Sequence, residues 1–289
     1  MRITQSMLSN NMLRNLSNSY AKLDQYMDQV STGKKINRPS DNPVIAMKGI
    51  NFRSQVNEAE QYMRNTGEVH NWMDNSDAAL DKATQTMQKL RELAVQASTG
   101  TYDEEERENI KKEAEQLKEH LINIANTQVN GKYIFNGTNT TEPPYDATNG
   151  FNANTDPIKI PVAAGTELQA NVNGEEVFGN ELFDKIDTFI ENLGNDNQAG
   201  IGASIEDLDT GINQIVNARA DLGARMNRLE LVENRLSEQE IIAKKTMAEN
   251  ESVDYEEAIT NLITQESLHR AALSAGSRII QPSLIDFLR

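Results

Sequence analysis

The stretch Ser31-Thr32-Gly33-Lys34-Lys35-Ile36-Asn37-Arg38-Pro39-Ser40-Asp41-Asn42-Pro43-Val44 stops one helix and starts another. Gly33 can take the left-handed conformation that closes a helix, and Lys34 and Lys35 suit the negative end of its dipole. Pro39 drives Arg38 out of the helical region. Ser40, Asp41 and Asn42 are all N-capping residue types, and Pro43 falls in the first turn, where a proline is tolerated. The spacing predicts an elbow between two helices, fixed by Gly33, Pro39, Asn42 and Pro43. What flanks the elbow decides what it joins.

Upstream, apolar residues fall at Leu13, Leu16, Tyr20, Leu23, Met27 and Val30, alternating steps of three and four as in a coiled-coil seam. Downstream, a much longer seam runs from Phe52 through Ala59, Tyr62, Val69, Met73, Leu80, Ala83, Met87, Leu90 and Ala94 to Ala97, where Ser98-Thr99-Gly100 ends it. As one helix, residues 43–98 would extend about 84 Å at 1.5 Å per residue. Asp103 is placed to cap the next helix, with Glu104, Glu105 and Glu106 on its positive end. Ile110, Ala114, Leu117, Leu121 and Ile124 form its stripe, and the short loop predicts that it folds back antiparallel.

Composition changes near Asn130. Four Asn-Gly pairs (Asn130, Asn136, Asn149 and Asn173 with their glycines) and four of the seven prolines lie in the next stretch, as do five of the seven phenylalanines up to Phe189. Short alternating runs include Ile158–Val162 and Leu168–Val172, the latter read as a hairpin arm turned by Asn173-Gly174 and returning to Phe178. Residues 131–180 therefore read as a small β insertion. Helical pattern resumes near Leu182, and a long seam follows at Ile201, Ile205, Leu208, Ile212, Ile215, Leu222, Met226, Leu229 and Leu236, with Arg219 in one core slot. The last helix runs from about Asp254 to Ile280 through Ile259, Leu262, Leu268, Ala272, Ala275 and Ile279, before Pro282 and a tail bearing Leu284, Phe287 and Leu288.

The 289 residues are 37% apolar but only 5% aromatic, which suits narrow helical stripes better than a thick core. A net charge of -16 argues against nucleic-acid binding, since phosphate neutralisation needs clustered Lys and Arg. Residues 1–50 nevertheless carry seven basic and three acidic side chains. With no cysteine there is neither a disulfide nor a thiolate metal site. No apolar run nears the roughly 18 residues of a membrane span, so no membrane partner is expected. Met1-Arg2-Ile3-Thr4 leads into no signal-peptide core.

His70, His120 and His269 fall on three different helices, and no metal-binding spacing occurs. Gly200-Ile201-Gly202 lacks the strand and third glycine of a dinucleotide loop, and Asp207-x-Asp209-x-Gly211 lacks the ligands of a calcium loop. The expectation is no catalytic, cofactor or metal site, and no enzyme.

The fold class expected is mainly α: a long antiparallel coiled-coil or helical-bundle rod made by the N- and C-terminal segments, with a small β-rich insertion in the middle. The divisions are 1–42 plus 254–289 as a terminal helical segment, 43–130 plus 181–253 as a long-helix bundle, and 131–180 as the β domain. Folding at the insertion would set residue 20 level with residue 270. Two paired terminal helices bury one stripe only, so they gain most by packing against copies of themselves. The expected assembly seam is Leu13, Leu16, Tyr20, Leu23, Met27 and Val30 with Leu262, Leu268, Ala272, Ala275, Ile279, Leu284, Phe287 and Leu288.

These residues also carry a resemblance. The segment from Ile3 to Asn42 resembles the start of the bacterial flagellin family. Arg38-Pro39-Ser40-Asp41-Asn42-Pro43-Val44-Ile45 looks like the version of its hook–filament junction members, where filament flagellins usually carry Ser-Ala-Lys-Asp-Asp-Ala-Ala-Gly. Gly131-Lys132-Tyr133-Ile134-Phe135-Asn136-Gly137-Thr138 is similar to the junction branch's entry into its β domain, and Asn217-Ala218-Arg219-Ala220-Asp221-Leu222-Gly223-Ala224-Arg225-Met226-Asn227-Arg228 resembles the shared C-terminal helix. The ending Ile279-Ile280-Gln281-Pro282-Ser283-Leu284-Ile285-Asp286-Phe287-Leu288 also favours that branch. The resemblance implies a structural subunit of an extracellular tube, with terminal helices lining the inside and the β domain facing out. It implies a ring of copies between hook-associated protein 1 and flagellin or the filament cap, type III export without a cleaved leader, and an export chaperone. A filament flagellin is the nearest alternative. A secreted coiled-coil effector or membrane-active helical protein is the alternative of another class.

Overall fold

The computed structural model describes residues 5–99, 103–146 and 149–280, and the side chains of 7–99, 103–146 and 149–277. Among the described residues seven helices carry most of the length, in the order α1 (Gln5–Thr32), α2 (Pro43–Ser98), α3 (Glu104–Ala125), α4 (Gly174–Phe178), α5 (Asn180–Gly194), α6 (Gln198–Glu251) and α7 (Tyr255–Ile280). Six short strands lie between α3 and α4. The fold is thus mainly α with a small strand-bearing middle. Contacts divide it into two compact units: the chain up to Glu58 with the chain from Glu240, and Ala59–Gln239.

In the unit Ala59–Gln239, the heptad stripes form the core. Val69, Met73, Leu80, Ala83, Met87, Leu90 and Ala94 of α2 are fully buried, as are Ala114 and Leu121 of α3 and Ile201, Leu208, Ile215 and Leu229 of α6. The two long helices run antiparallel here, because Asp77 and Asp81 meet Arg219, Arg91 meets Asp209, and the Ala97 and Ser98 carbonyls accept from Gln198. Arg219, which interrupts the apolar seam, is thereby explained. It leaves the core slot to bind Asp77 (3.0 Å) and Asp81 (2.8 Å), and hydrogen bonding to Asp77 raises its pKa against the opposing effect of burial. Asp103 and Glu106 form the capping box that starts α3.

The strands make three two-stranded antiparallel hairpins rather than one sheet: β1 (Gln128–Val129) with β2 (Lys132–Tyr133), β3 (Tyr145–Asp146) with β4 (Gly150–Phe151), and β5 (Lys159–Ala163) with β6 (Thr166–Gln169). Asn130 and Gly131, both at positive φ (53° and 76°), make the first turn as the Asn-Gly pair predicts. The Asn173-Gly174 reading is corrected. The arm around Leu168 pairs backwards with Lys159–Ala163 through Gly165, and Asn173 instead caps α4, its side chain accepting from the Glu175 amide. Asn favours both a turn and an N-cap, and here the cap prevails because α4 carries Phe178 into the aromatic core.

Hairpins this short cannot hold themselves together. They are held by rings. Phe178 meets Phe135 edge-on at 5.0 Å and lies 6.2 Å from Phe151, while Phe183 meets Tyr145 at 5.0 Å. Asn180 spans the Phe151 backbone, accepting from its amide and donating to its carbonyl. Gly174 is the tightest point, since a Cβ there would lie 2.1 Å from the Phe135 carbonyl oxygen. Gly174→Ala should therefore push α4 off that backbone and cost about 1–3 kcal/mol. A urea titration reads this directly, and an unchanged midpoint would contradict it.

Candidate assembly surface

In the other unit, α1 and α7 pair antiparallel. Gln265 Nε2 donates to the Ser19 hydroxyl (2.9 Å), and the Tyr20 and His269 rings lie 5.9 Å apart, so residue 20 does stand level with residue 270. The inner face of α1 is Met12, Leu16, Ser19, Leu23, Tyr26 and Val30, all half-buried. That of α7 is Ala258, Leu262, Gln265, His269, Ala272 and Gly276, half-buried or buried. Both step four, three, four, three, four, and Gly276 lets Met12 approach to 3.0 Å of where a Cβ would stand.

The expected seam residues divide between two faces. Leu16, Leu23, Val30, Leu262 and Ala272 belong to the inner stripes. Leu13, Tyr20, Met27, Leu268 and Ala275 are exposed on the flanks, joined by Ile259, Ile263 and Leu273. The side chain of Ile279, and Leu284, Phe287 and Leu288 altogether, lie outside the described residues. Apolarity alone traced a line between faces and passed over Ser19, Gln265, His269 and Gly276. Both lines on α1 keep a strict three-four register, so spacing alone does not choose between them.

The elbow is built as its residue types dictate. Gly33 sits at φ 71° with its amide on the Gln29 carbonyl. Asp41 accepts from the Asn37 and Arg38 amides around exposed Pro39. Asn42 accepts from the Val44 and Ile45 amides, capping α2 ahead of Pro43. A second break, between α6 and α7, pairs with it. Lys34 bridges Ser252 antiparallel, the Lys35 amide donates to the Glu251 carbonyl (2.7 Å), and the Val253 amide donates to the Gly33 carbonyl (2.9 Å). Lys35 Nζ donates to the Glu249 carbonyl, and Arg53 pairs with Glu251 at 2.7 Å. The two breaks thus form a single clasp from which α1 and α7 leave together.

Among the described residues no group of three or more acidic or His side chains could hold a metal, and no helix is long and apolar enough to cross a membrane. The surface that stands out is the terminal pair with its uncovered apolar flanks. Apolar flanks of this extent on two adjoining helices mark an interaction surface. The chain belongs to the bacterial flagellin family. The N-terminal helical region of bacterial flagellin matches residues 3–140, and the C-terminal helical region matches residues 205–288. Among its relatives, flagellar hook-associated protein 3 of Escherichia coli is 25% identical over 95% of this chain and 96% of its own length. The flagellin of Bacillus subtilis is 28% identical over 82% of each. In fold, the chain is similar to flagellar hook associated protein-3 of Legionella pneumophila (TM-score 0.64, 16% identity, 69% of this chain and 98% of that one). A second likeness is to the Bacillus cereus FlgL crystal structure (TM-score 0.61, 22% identity, 68% and 99%).

Proposed function

We propose that this chain is a non-enzymatic structural subunit of the bacterial flagellum that joins hook to filament, assembling through α1 and α7. The observation that carries the reading is the terminal pair itself. It buries one stripe and leaves Leu13, Tyr20 and Met27, with Ile259, Ile263 and Leu268, in water. So many large apolar groups on two adjoining helices mark a surface that is covered in the working state. The junction role, rather than the filament, is favoured by similarity along nearly the whole length of hook-associated protein 3, and by the Arg38-Pro39-Ser40 and Gln281-Pro282-Ser283 motifs.

On this reading the partners are further copies in a ring, hook-associated protein 1 on one side, flagellin or the filament cap on the other, and a chaperone before export. The protein acts outside the cell. Residues 1–42 with 254–289 form the assembly segment, 43–130 with 181–253 the supporting bundle, and 131–180 an outward β domain. Deleting the gene should release flagellin into the medium while hooks remain on the cells. Filaments still attached to the hooks of the deletion strain would overturn the proposal. Long filaments grown from the purified chain alone would favour a flagellin.

A further inference from the structure

Helix α2 opens with Pro43-Val44-Ile45-Ala46-Met47-Lys48-Gly49-Ile50, one charge in eight residues. Ile45 and Ala46 are half-buried and Gly49 is buried, on the side packed within the unit. Val44, Met47 and Ile50, three apart, lie on the other side and are 61%, 66% and 61% exposed. A helix apolar all round is one that is buried all round, and a single chain covers one side only. Beyond Ile50 the same outer face turns polar at Asn51 and Ser54, so the apolar collar is local.

Two further features belong to this corner. A cavity of about 110 Å³ opens beside the collar, lined by Ile36, Pro39, Ile45 and Ile50 with Arg53 and Glu251. Glu251 gives one oxygen to Arg53, but its Oε1 is buried and has no hydrogen-bond partner. Unsatisfied buried acceptors are rare enough in finished structures to require a reason. Here the corner is one that a single chain leaves incomplete.

We propose that the collar is an interface with a second copy of this chain, which covers it with the Ile259–Ile263 flank of its α7. This rests on the reading of the chain as a subunit that assembles through its ends, and it carries the assembly surface past the elbow onto α2. Continuity supports it, because only the elbow and the last turn of α1 separate Met27, on the exposed α1 flank, from Val44. Charge supports it too. The collar is rimmed by Lys48 and Arg38, whereas Ile259 and Ile263 share their exposed side of α7 with Glu256 and with the Glu266–Arg270 ion pair. The two patches differ, so their contact is heterologous. Repeated from copy to copy, such a contact generates a ring or a helix instead of closing as a dimer.

The absence of cysteine makes the test clean. Met47→Cys, with Val44→Cys as a second variant, is labelled with a maleimide in the dilute purified protein and in isolated flagella. Labelling should slow by at least about tenfold in flagella, because thiol reactivity follows access. A benzophenone side chain at position 47 should give, on irradiating flagella, an adduct of twice the chain mass carrying the tryptic peptide 246–270. Equal labelling in both states, or an adduct with a different protein, would overturn the interface. A deletion strain that keeps its filaments fails the junction reading instead. The two failures are therefore distinct.

Discussion

Replacing Leu13 and Met27 together by Asp should leave the folded chain intact and abolish its assembly. The two residues lie fourteen apart on the same outer flank of α1, 53% and 54% exposed. In the free chain a carboxylate at either position stays in water, so thermal stability should move within about 0.5 kcal/mol. In an assembly that covers the flank, each carboxylate would be buried without a partner, at several kcal/mol per site. Every copy in a ring repeats that cost, so the effect on attachment is multiplied where the effect on folding is not. The expected phenotype is flagellin in the medium beside a soluble variant that melts like the parent. Leu13→Met with Met27→Leu should restore attached filaments. Leu16→Asp is the control on the other face: it strikes the stripe turned to α7 and should loosen the terminal pair itself. If the outer double variant builds attached filaments at parental frequency, the flank is not an assembly surface.

The long helices were legible in the sequence because one physical signal, the four-three spacing of buried groups, controls them. The α2 stripe from Val69 to Ala94 is fully buried at nearly every position read from spacing. Arg219 was visible as an exception in that pattern, but its partners were not, because Asp77 and Asp81 lie about 140 positions away and nothing local connects them. The terminal pair was half legible. Its antiparallel register followed from symmetry about the middle of the chain, whereas its inner face includes Ser19, Gln265, His269 and Gly276, which no apolar pattern reveals. Such groups serve here through a hydrogen bond, a ring contact and close approach. The clasp was half legible as well. Both helix breaks could be placed from caps and glycine, but the bonds between residues 33–35 and 251–253 depend on chain closure over more than two hundred residues. The β insertion was recognisable by composition and misread in detail, since an Asn-Gly pair marks a change of direction without saying whether a strand or a helix follows.

The largest effect on folding should come from Phe178→Ala, at about 3–5 kcal/mol. Phe178 is fully buried, at the end of the five-residue α4, and its ring is in contact with both Phe135 and Phe151. Phe135 follows β2, and Phe151 ends β4, so this ring couples two hairpins that share no strand. Each hairpin alone has too few ladder bonds to persist in water. Truncating the ring leaves a void between segments that have no other sheet to hold them, so the loss should be local before it is global. Hydrogen exchange should show faster exchange first at the amides of β1 to β4 and of α4, with the fully buried stripe of α2 affected least. Phe178→Leu keeps most of the volume and should cost less than half as much, which separates lost packing from lost ring contacts. Uniform acceleration across the unit, with α2 amides exchanging as fast as those of β4, would show that the aromatic cluster supports the whole helical core and that the insertion is no separate layer.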